Sequence, residues 1–395
     1  MASRAAKSLQ WLLVGLLLGI ALWQLRAAAL SVPVIDLVEY WSAAHLLVRG
    51  ENPYSPAQML ALERSAGWNR ADPLLMWNPP WALPFVAPLG WSSYRITYLL
   101  WLGLNLGIIF ACANKLWEQY GGSPEKRYLA WILSLTFVPT LVVLGLGQIG
   151  PLILAGLTLF LLWRERRPWL AGAATVLLGI KPQLLYLFWI ALLLWVVRER
   201  RWRVLGGAMI AFAVATLVPL FFRHSILTDY VAQFHAARLL SNPSPNLGTL
   251  LRTWSSPNTN WLQFVPAALG VGWFAWYLKR VRWDWSCGMP LLLVVSIATT
   301  SYGWVFDHVT LLPAVFEIAT WTRWNDARAR MVIFPYVLVN IALAVSIALH
   351  ATGTAYAWVA PAWLVVYVVA VKTRRTSRNG RTAITSPLQS RVEKS

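Results

Sequence analysis

The chain reads as an all-α polytopic membrane protein, and three observations carry that expectation. Of its 395 residues, 58% are hydrophobic and only 12% charged, with a mean hydropathy of +0.54, a balance that soluble globular domains do not have. Apolar runs close to the ~20 residues that a helix needs to cross a ~30 Å hydrocarbon core recur along the sequence. Basic residues gather in alternate connections rather than scattering, which is the positive-inside pattern.

In chain order, Trp11 to Leu30 is the first expected helix. It is taken as uncleaved, although Arg4, Lys7 and the small run Ala27-Ala28-Ala29 would also suit an export signal. Asp36 to Arg49 reads as one amphipathic helix lying on the membrane surface. Leu37, Tyr40, Trp41, Ala44 and Val48 form one stripe, with Asp36, Glu39 and Ala43 beside it. Gly50 ends it, and Asn52-Pro53-Tyr54-Ser55-Pro56 is a turn because each proline excludes helix just before it. A polar segment, Ala57 to Asp72, precedes Trp77 to Pro88, which is apolar and aromatic but too rich in proline to span. It is expected to be re-entrant or interfacial from Pro80 onward.

Spanning helices follow at Tyr94 to Leu116, Tyr128 to Leu146, Pro151 to Trp163, Val204 to Phe222 and Trp261 to Leu278. Four more are expected at Met289 to Val305, Val309 to Trp321, Val332 to Leu349 and Ala355 to Val371. With a cytoplasmic N-terminus, about 25 of the 34 lysines and arginines lie inside. The net charge of +19 therefore reports orientation in a plasma membrane, not a nucleic-acid partner. The domain reading is a cytoplasmic stretch at 1–10, one integral membrane domain at 11–371 with outer loops at 31–90 and 223–260, and a basic cytoplasmic tail at 372–395. Cys112 and Cys287 offer neither a disulfide framework nor a paired metal site.

One apolar run breaks the alternation. Between Arg167 and Arg198 both flanks are basic, so the run must rise and return, turning at Gly179-Ile180-Lys181-Pro182. A half-length helix leaves Lys181 partway across the bilayer, where an ammonium is costly unless it meets an anion, a polar cavity or an ion-pair partner such as Glu317. The outer segments hold the remaining polar chemistry: Gly147-Gln148-Ile149-Gly150, the segment carrying His224, Asp229, His235, Arg238, Asn246 and Arg252, and Gly303-Trp304-Val305-Phe306-Asp307-His308. Simpler readings are a tight turn for Gln148, a helix cap for Asp307 and interfacial anchoring for the aromatics. No HExxH, DxD, Walker loop or GxSxG occurs, so metal hydrolase, nucleotide-binding and serine hydrolase classes lack support.

Asp36 with Tyr40-Trp41, the Asn52-Pro53-Tyr54 turn, Asn78-Pro79-Pro80, Gly147-Gln148 and Ile180-Lys181-Pro182 together resemble the ordered motifs of glycosyltransferase family 87. The resemblance implies a GT-C glycosyltransferase-like bundle of about 12 transmembrane or half-membrane helices with amphipathic outer-loop helices. It implies transfer of a hexose, by default mannose, from a polyprenyl-phosphate sugar to a glycan or glycolipid on the outer face, with inversion and without cofactor or metal. Carried over to this sequence, Asp36 is the general base; charge grows on the leaving phosphate, where a cation contributes most, and Lys181 and His308 are the candidates to face it. Glu39, Tyr40, Trp41, Tyr54, Gln148, Asn246 and Asp307 bind substrate. The expected partners are membrane lipid, the lipid-linked donor and the acceptor, and the protein is expected to act as a monomer. A transporter or flippase of lipid-linked sugars is the other reading, since broken helices around a charged midplane residue also serve transport.

Overall fold

The computed structural model describes residues 33–236, 243–255, 259–322 and 329–374. The expected helix Trp11 to Leu30, with Ala27-Ala28-Ala29, and Arg238, Arg323, Arg328 and the tail beyond residue 374 lie outside the described residues.

Among the described residues the chain is entirely helical, with no strand. The first half comprises α1 (Leu37–Val48), α2 (Pro56–Ser65), α3 (Tyr94–Gln119), α4 (Tyr128–Thr136), α5 (Val138–Leu146), α6 (Gly150–Trp163), α7 (Pro168–Leu178) and α8 (Tyr186–Arg198). The second half comprises α9 (Trp202–Phe222), α10 (Ile226–Ala236), α11 (Leu247–Trp254), α12 (Val265–Leu278), α13 (Trp285–Thr299), α14 (Leu312–Trp321), α15 (Arg330–Ala348) and the helical stretch α16 (Gly353–Arg374). Four of these, α3, α9, α15 and α16, are long and apolar enough to cross a membrane. A fifth span results if the bent pair α4–α5 is counted as one. Shorter apolar helices, among them α6, α7 and α13, pack between them.

The run Tyr128 to Leu146, expected as one span, is broken by a 62° bend between α4 and α5. Phe137 is extended there, at φ −77° and ψ 102°, and Pro139 sits in the first turn of α5; in a continuous helix its ring would clash with the Leu135 carbonyl and offer it no N–H, so the chain breaks just before it. The Val138 amide freed by the break donates instead to Asn340 Oδ1 of α15 at 2.8 Å. A backbone group that water cannot reach thus finds a side chain from another helix.

The expected spans at Met289 to Val305 and Val309 to Trp321 also differ. α13 starts earlier, since Asp284 accepts the Cys287 N–H and caps it. It ends at Thr299, and a 3-10 turn over Val305–Leu311 then leads into α14.

α1 is not a surface helix. Ten of its twelve residues are buried, Glu39 and Ser42 among them. The proline-rich segment forms two 3-10 turns, Pro80–Phe85 and Ala87–Trp91, and closes over α1. The Trp41 indole donates to Ser92 O at 2.9 Å, and His45 Nδ1 lies 2.9 Å from Gly90 O. With both sides covered, the polar residues of α1 face the interior of the protein instead of water.

α7 and α9 meet backbone to backbone. A Cβ added at Gly207 would fall 2.0 Å from the Trp169 carbonyl oxygen, so only glycine permits that approach. The direction of the helices then sets two ends. α6 runs from Gly150 to Trp163, ~21 Å at 1.5 Å per residue, and ends at Arg164, which donates to Ser286 Oγ in the first turn of α13. Arg201 pairs with Glu165 at 2.8 Å at that same basic end. The other ends of α6, α7 and α13 converge on Gln148, Lys181 and Ser301.

Candidate active site

A cavity of about 990 Å³ opens at this second end. Its walls bring together seven separate stretches: Asp36, Glu39 and Tyr40 from the start of α1; Pro56; Arg70 to Trp81; Gln148; Ile180 to Gln183; Tyr230 and Phe234 of α10; and Ser301 to Phe306.

Asp36 sits just ahead of α1. Its Oδ2 accepts from Gln148 Nε2 at 2.9 Å, and Gln148 Oε1 accepts from the Tyr40 hydroxyl at 2.7 Å. The chain of donors is directional. A phenol donating to the amide oxygen turns the amide nitrogen toward the carboxylate, so Gln148 presents a donor to an ionised Asp36. The turn carrying Gln148 is held by Gly147, a left-handed residue at φ +66° whose added Cβ would lie 2.7 Å from Leu37 Cβ. Trp101 of α3 donates to the Gly147 carbonyl at 2.8 Å. The glycine-glutamine motif is therefore more than a tight turn, because it seats an amide against the carboxylate.

Burial pushes the Asp36 carboxyl above its ordinary value, while the Gln148 hydrogen bond, then Lys181 and Arg70, pull it back. Glu39 one turn on is pushed well above the carboxylate range, by burial first and the Asp36 charge second. Both neighbouring carboxyls are thus pushed upward by burial, Glu39 further than Asp36, because Asp36 has the Gln148 amide and two cations to oppose the shift and Glu39 has the Asp36 charge to add to it.

Lys181 occupies the broken apex between α7 and a 3-10 turn at Pro182–Leu185. The apex is clasped by the proline-rich segment: Asn78 Nδ2 donates to Ile180 O at 3.1 Å and the Trp81 indole to Gly179 O at 2.8 Å. Lys181 Nζ pairs with Asp307 Oδ1 at 2.7 Å and lies 4.6 Å from the centre of the Phe306 ring. Glu317, the partner considered from sequence, is engaged elsewhere and accepts from Tyr367 at 2.6 Å. Asp307 also accepts the Trp304 N–H through Oδ2, so the capping role expected of it is combined with the ion pair. Lys181 lines the same cavity as Asp36.

Of the remaining expected site residues, Tyr40, Glu39 and Gln148 line the cavity, and Asp307 stands behind Lys181. Trp41, Tyr54, Asn246 and His308 are not among its lining residues. Tyr54 is buried under the floor, donating to Asn78 O at 3.0 Å with its ring against Tyr230. Asn246 caps α11, accepting from the Thr249 amide and donating to Ser301 O. His308 is buried, with Nδ1 unpartnered among the described residues.

Arg70 and Glu63 carry no motif that sequence reading could weight. Arg70 stands at the cavity rim with its guanidinium 5.1 Å above the Trp68 ring. Glu63 of α2 is buried and accepts the Leu74 N–H at 3.1 Å, fixing the irregular stretch of wall that includes Leu74 and Trp77. Among the described residues no group of three or more His, Cys, Asp and Glu is placed to share a metal ion.

Residues 77–302 match the model of glycosyltransferase family 87. The chain belongs to that family. The protein is accordingly a membrane glycosyltransferase, and the transporter reading loses its footing. The matched region includes Asn78, Gln148, Lys181 and Asn246, while Asp36, Asp307 and His308 fall outside it. No curated protein and no solved structure matches the chain.

Proposed function

We propose that the protein transfers a hexose, with mannose as the family default, from a polyprenyl-phosphate sugar to a hydroxyl of a glycan or glycolipid acceptor. The observation that carries this reading is one cavity lined by both an ionisable carboxylate, Asp36, and a cation, Lys181. The acceptor hydroxyl attacks the anomeric carbon, its proton passes to Asp36, and the bond from that carbon to the phosphate oxygen breaks. Attack opposite the leaving group inverts the configuration, so base and phosphate stand on two sides of the sugar within one chamber. Charge grows on the departing phosphate, where a cation contributes most. Lys181, with Arg70 at the rim, supplies it. One monophosphate needs no metal or other cofactor for neutralisation, and the protein acts as a monomer.

The positive-inside pattern orients this chemistry. Arg164, Arg201 and the connections near them belong in the cytoplasm, with both termini, and the cavity at the other ends of α6, α7 and α13 faces the outer side of the plasma membrane. In this reading the bundle is of GT-C type, with about 12 transmembrane or half-membrane helices.

Membranes containing the protein, supplied with labelled polyprenyl-phosphate mannose, polyprenyl-phosphate glucose or a nucleotide-linked mannose, test the proposal. Label is expected in a glycan or glycolipid only from a lipid-linked donor. Transfer from the nucleotide sugar with no lipid intermediate would overturn it.

A further inference from the structure

At the basic end, remote from the cavity just described, a second and smaller cavity of about 180 Å³ lies between the C-terminal ends of α8 and α12. Its floor is apolar, with the buried Trp195 and Phe274. Its rim carries two exposed guanidinium groups, Arg198 and Arg282. Neither makes an ion pair among the described residues. The acidic groups nearby are engaged: Glu199, which also lines the cavity, is held by Arg201 at 3.4 Å, and Asp284 caps α13.

The surroundings say what reaches this place. Leu193 and Val197 on α8 and Trp276 and Val281 on or just after α12 are apolar and between 42% and 60% exposed. Such side chains, on helices of a membrane protein, face hydrocarbon. The two arginines stand where those lipid-facing surfaces end, at the level of headgroups. A cavity with an apolar floor and an unpaired cationic rim at that level fits a molecule that is apolar on one side and anionic on the other.

We propose that this cavity is a binding site for an anionic phospholipid, its phosphate held between Arg198 and Arg282 and its first methylenes lying on Trp195 and Phe274. The chemistry recognised is a phosphodiester whose negative charge is not cancelled by a cationic headgroup, as it is in phosphatidylcholine. A free phosphate would present the same oxygens but leave the apolar floor bare.

The full-length protein in detergent, examined by native mass spectrometry against phosphatidylglycerol, phosphatidylcholine and inorganic phosphate, decides the matter. Phosphatidylglycerol is expected to remain bound to the wild type and to bind roughly 30-fold more weakly to R198Q/R282Q, the scale set by two arginines near an anionic surface. A control variant, R166Q/R167Q, removes the same charge from the same end and should keep wild-type binding. Equal losses in both variants would overturn the site in favour of diffuse attraction. Equal binding of phosphatidylcholine, or phosphate binding as tightly as the lipid, would also overturn it. Because the readout is binding, it stands whether or not the transfer chemistry is as proposed. Thermal melts of the variants, expected to match the wild type since both arginines are exposed, keep a folding defect from being mistaken for loss of the site.

Discussion

Lys181 Nζ and Asp307 Oδ1 lie 2.7 Å apart although 126 residues separate them in the chain. The side chains are 13% and 2% exposed, so the pair is nearly dehydrated and each member depends on the other.

Replacing Lys181 by Ala leaves Asp307 buried and unpaired, which costs about 3–5 kcal/mol of stability. The double variant Lys181→Ala/Asp307→Asn removes that orphaned charge and is expected to recover most of the melting temperature. Donor KM should stay elevated in both variants, and rise more than acceptor KM. Equal changes in the two constants would remove Lys181 from the phosphate.

Asp36→Asn keeps the shape and the cavity but cannot take a proton. Turnover is expected to fall about 10²–10⁴-fold, while binding of the lipid-linked donor, followed by equilibrium binding in detergent, is retained. Unchanged turnover would move attention to Glu39.

Gln148→Ala deletes the hydrogen bond that favours the ionised form of Asp36. The carboxyl then titrates at higher pH. A general base works only when deprotonated, so the acid limb of the rate–pH profile should shift upward. Tyr40→Phe removes only the donor that orients the amide and should move the limb the same way by less.

Burial raises the Glu63 carboxyl from 4.5 to about 7, with the Leu74 amide opposing the shift. The fold therefore binds this proton more tightly than the unfolded chain does. Its contribution to stability is full below pH 4.5 and is lost as pH rises through about 7. Glu63→Gln keeps an acceptor for Leu74 and should flatten the decline in melting temperature between pH 5 and 8.

Gly207→Val drives a side chain into the Trp169 carbonyl across the α7–α9 contact, whereas Gly272 in α12 has open space around it. Gly207→Val should lower the melting temperature sharply and Gly272→Ala should leave it nearly unchanged, as thermal melts in detergent would report.

The legible part of this molecule was its lipid-facing chemistry. Long apolar runs predict α3, α9, α15 and α16 because such sequences are stable in hydrocarbon and not in water, and the broken rise at Lys181 follows from basic flanks on both sides. What escaped the sequence depends on contacts between distant segments. The break at Phe137 is marked by Pro139, but its partner, Asn340, is about 200 residues on. α1 has the pattern of a surface helix, and only the two 3-10 turns packed over it show why its polar face is inside. Within the site, Asp36, Lys181 and Gln148 were marked by motifs. Arg70 and Glu63 were not, since an isolated charge in a polar stretch carries no periodicity or spacing that singles it out.

The clasp between Asn78 and Ile180 has a consequence for biosynthesis. The apex can be gripped as soon as it leaves the ribosome, because the proline-rich segment is already made. Asp307 is not. At about 5–20 residues per second the ammonium waits roughly 6–25 s for its counter-charge to be translated, and over that interval Asn78 and Trp81 are the side chains already made that grip the apex in the finished fold.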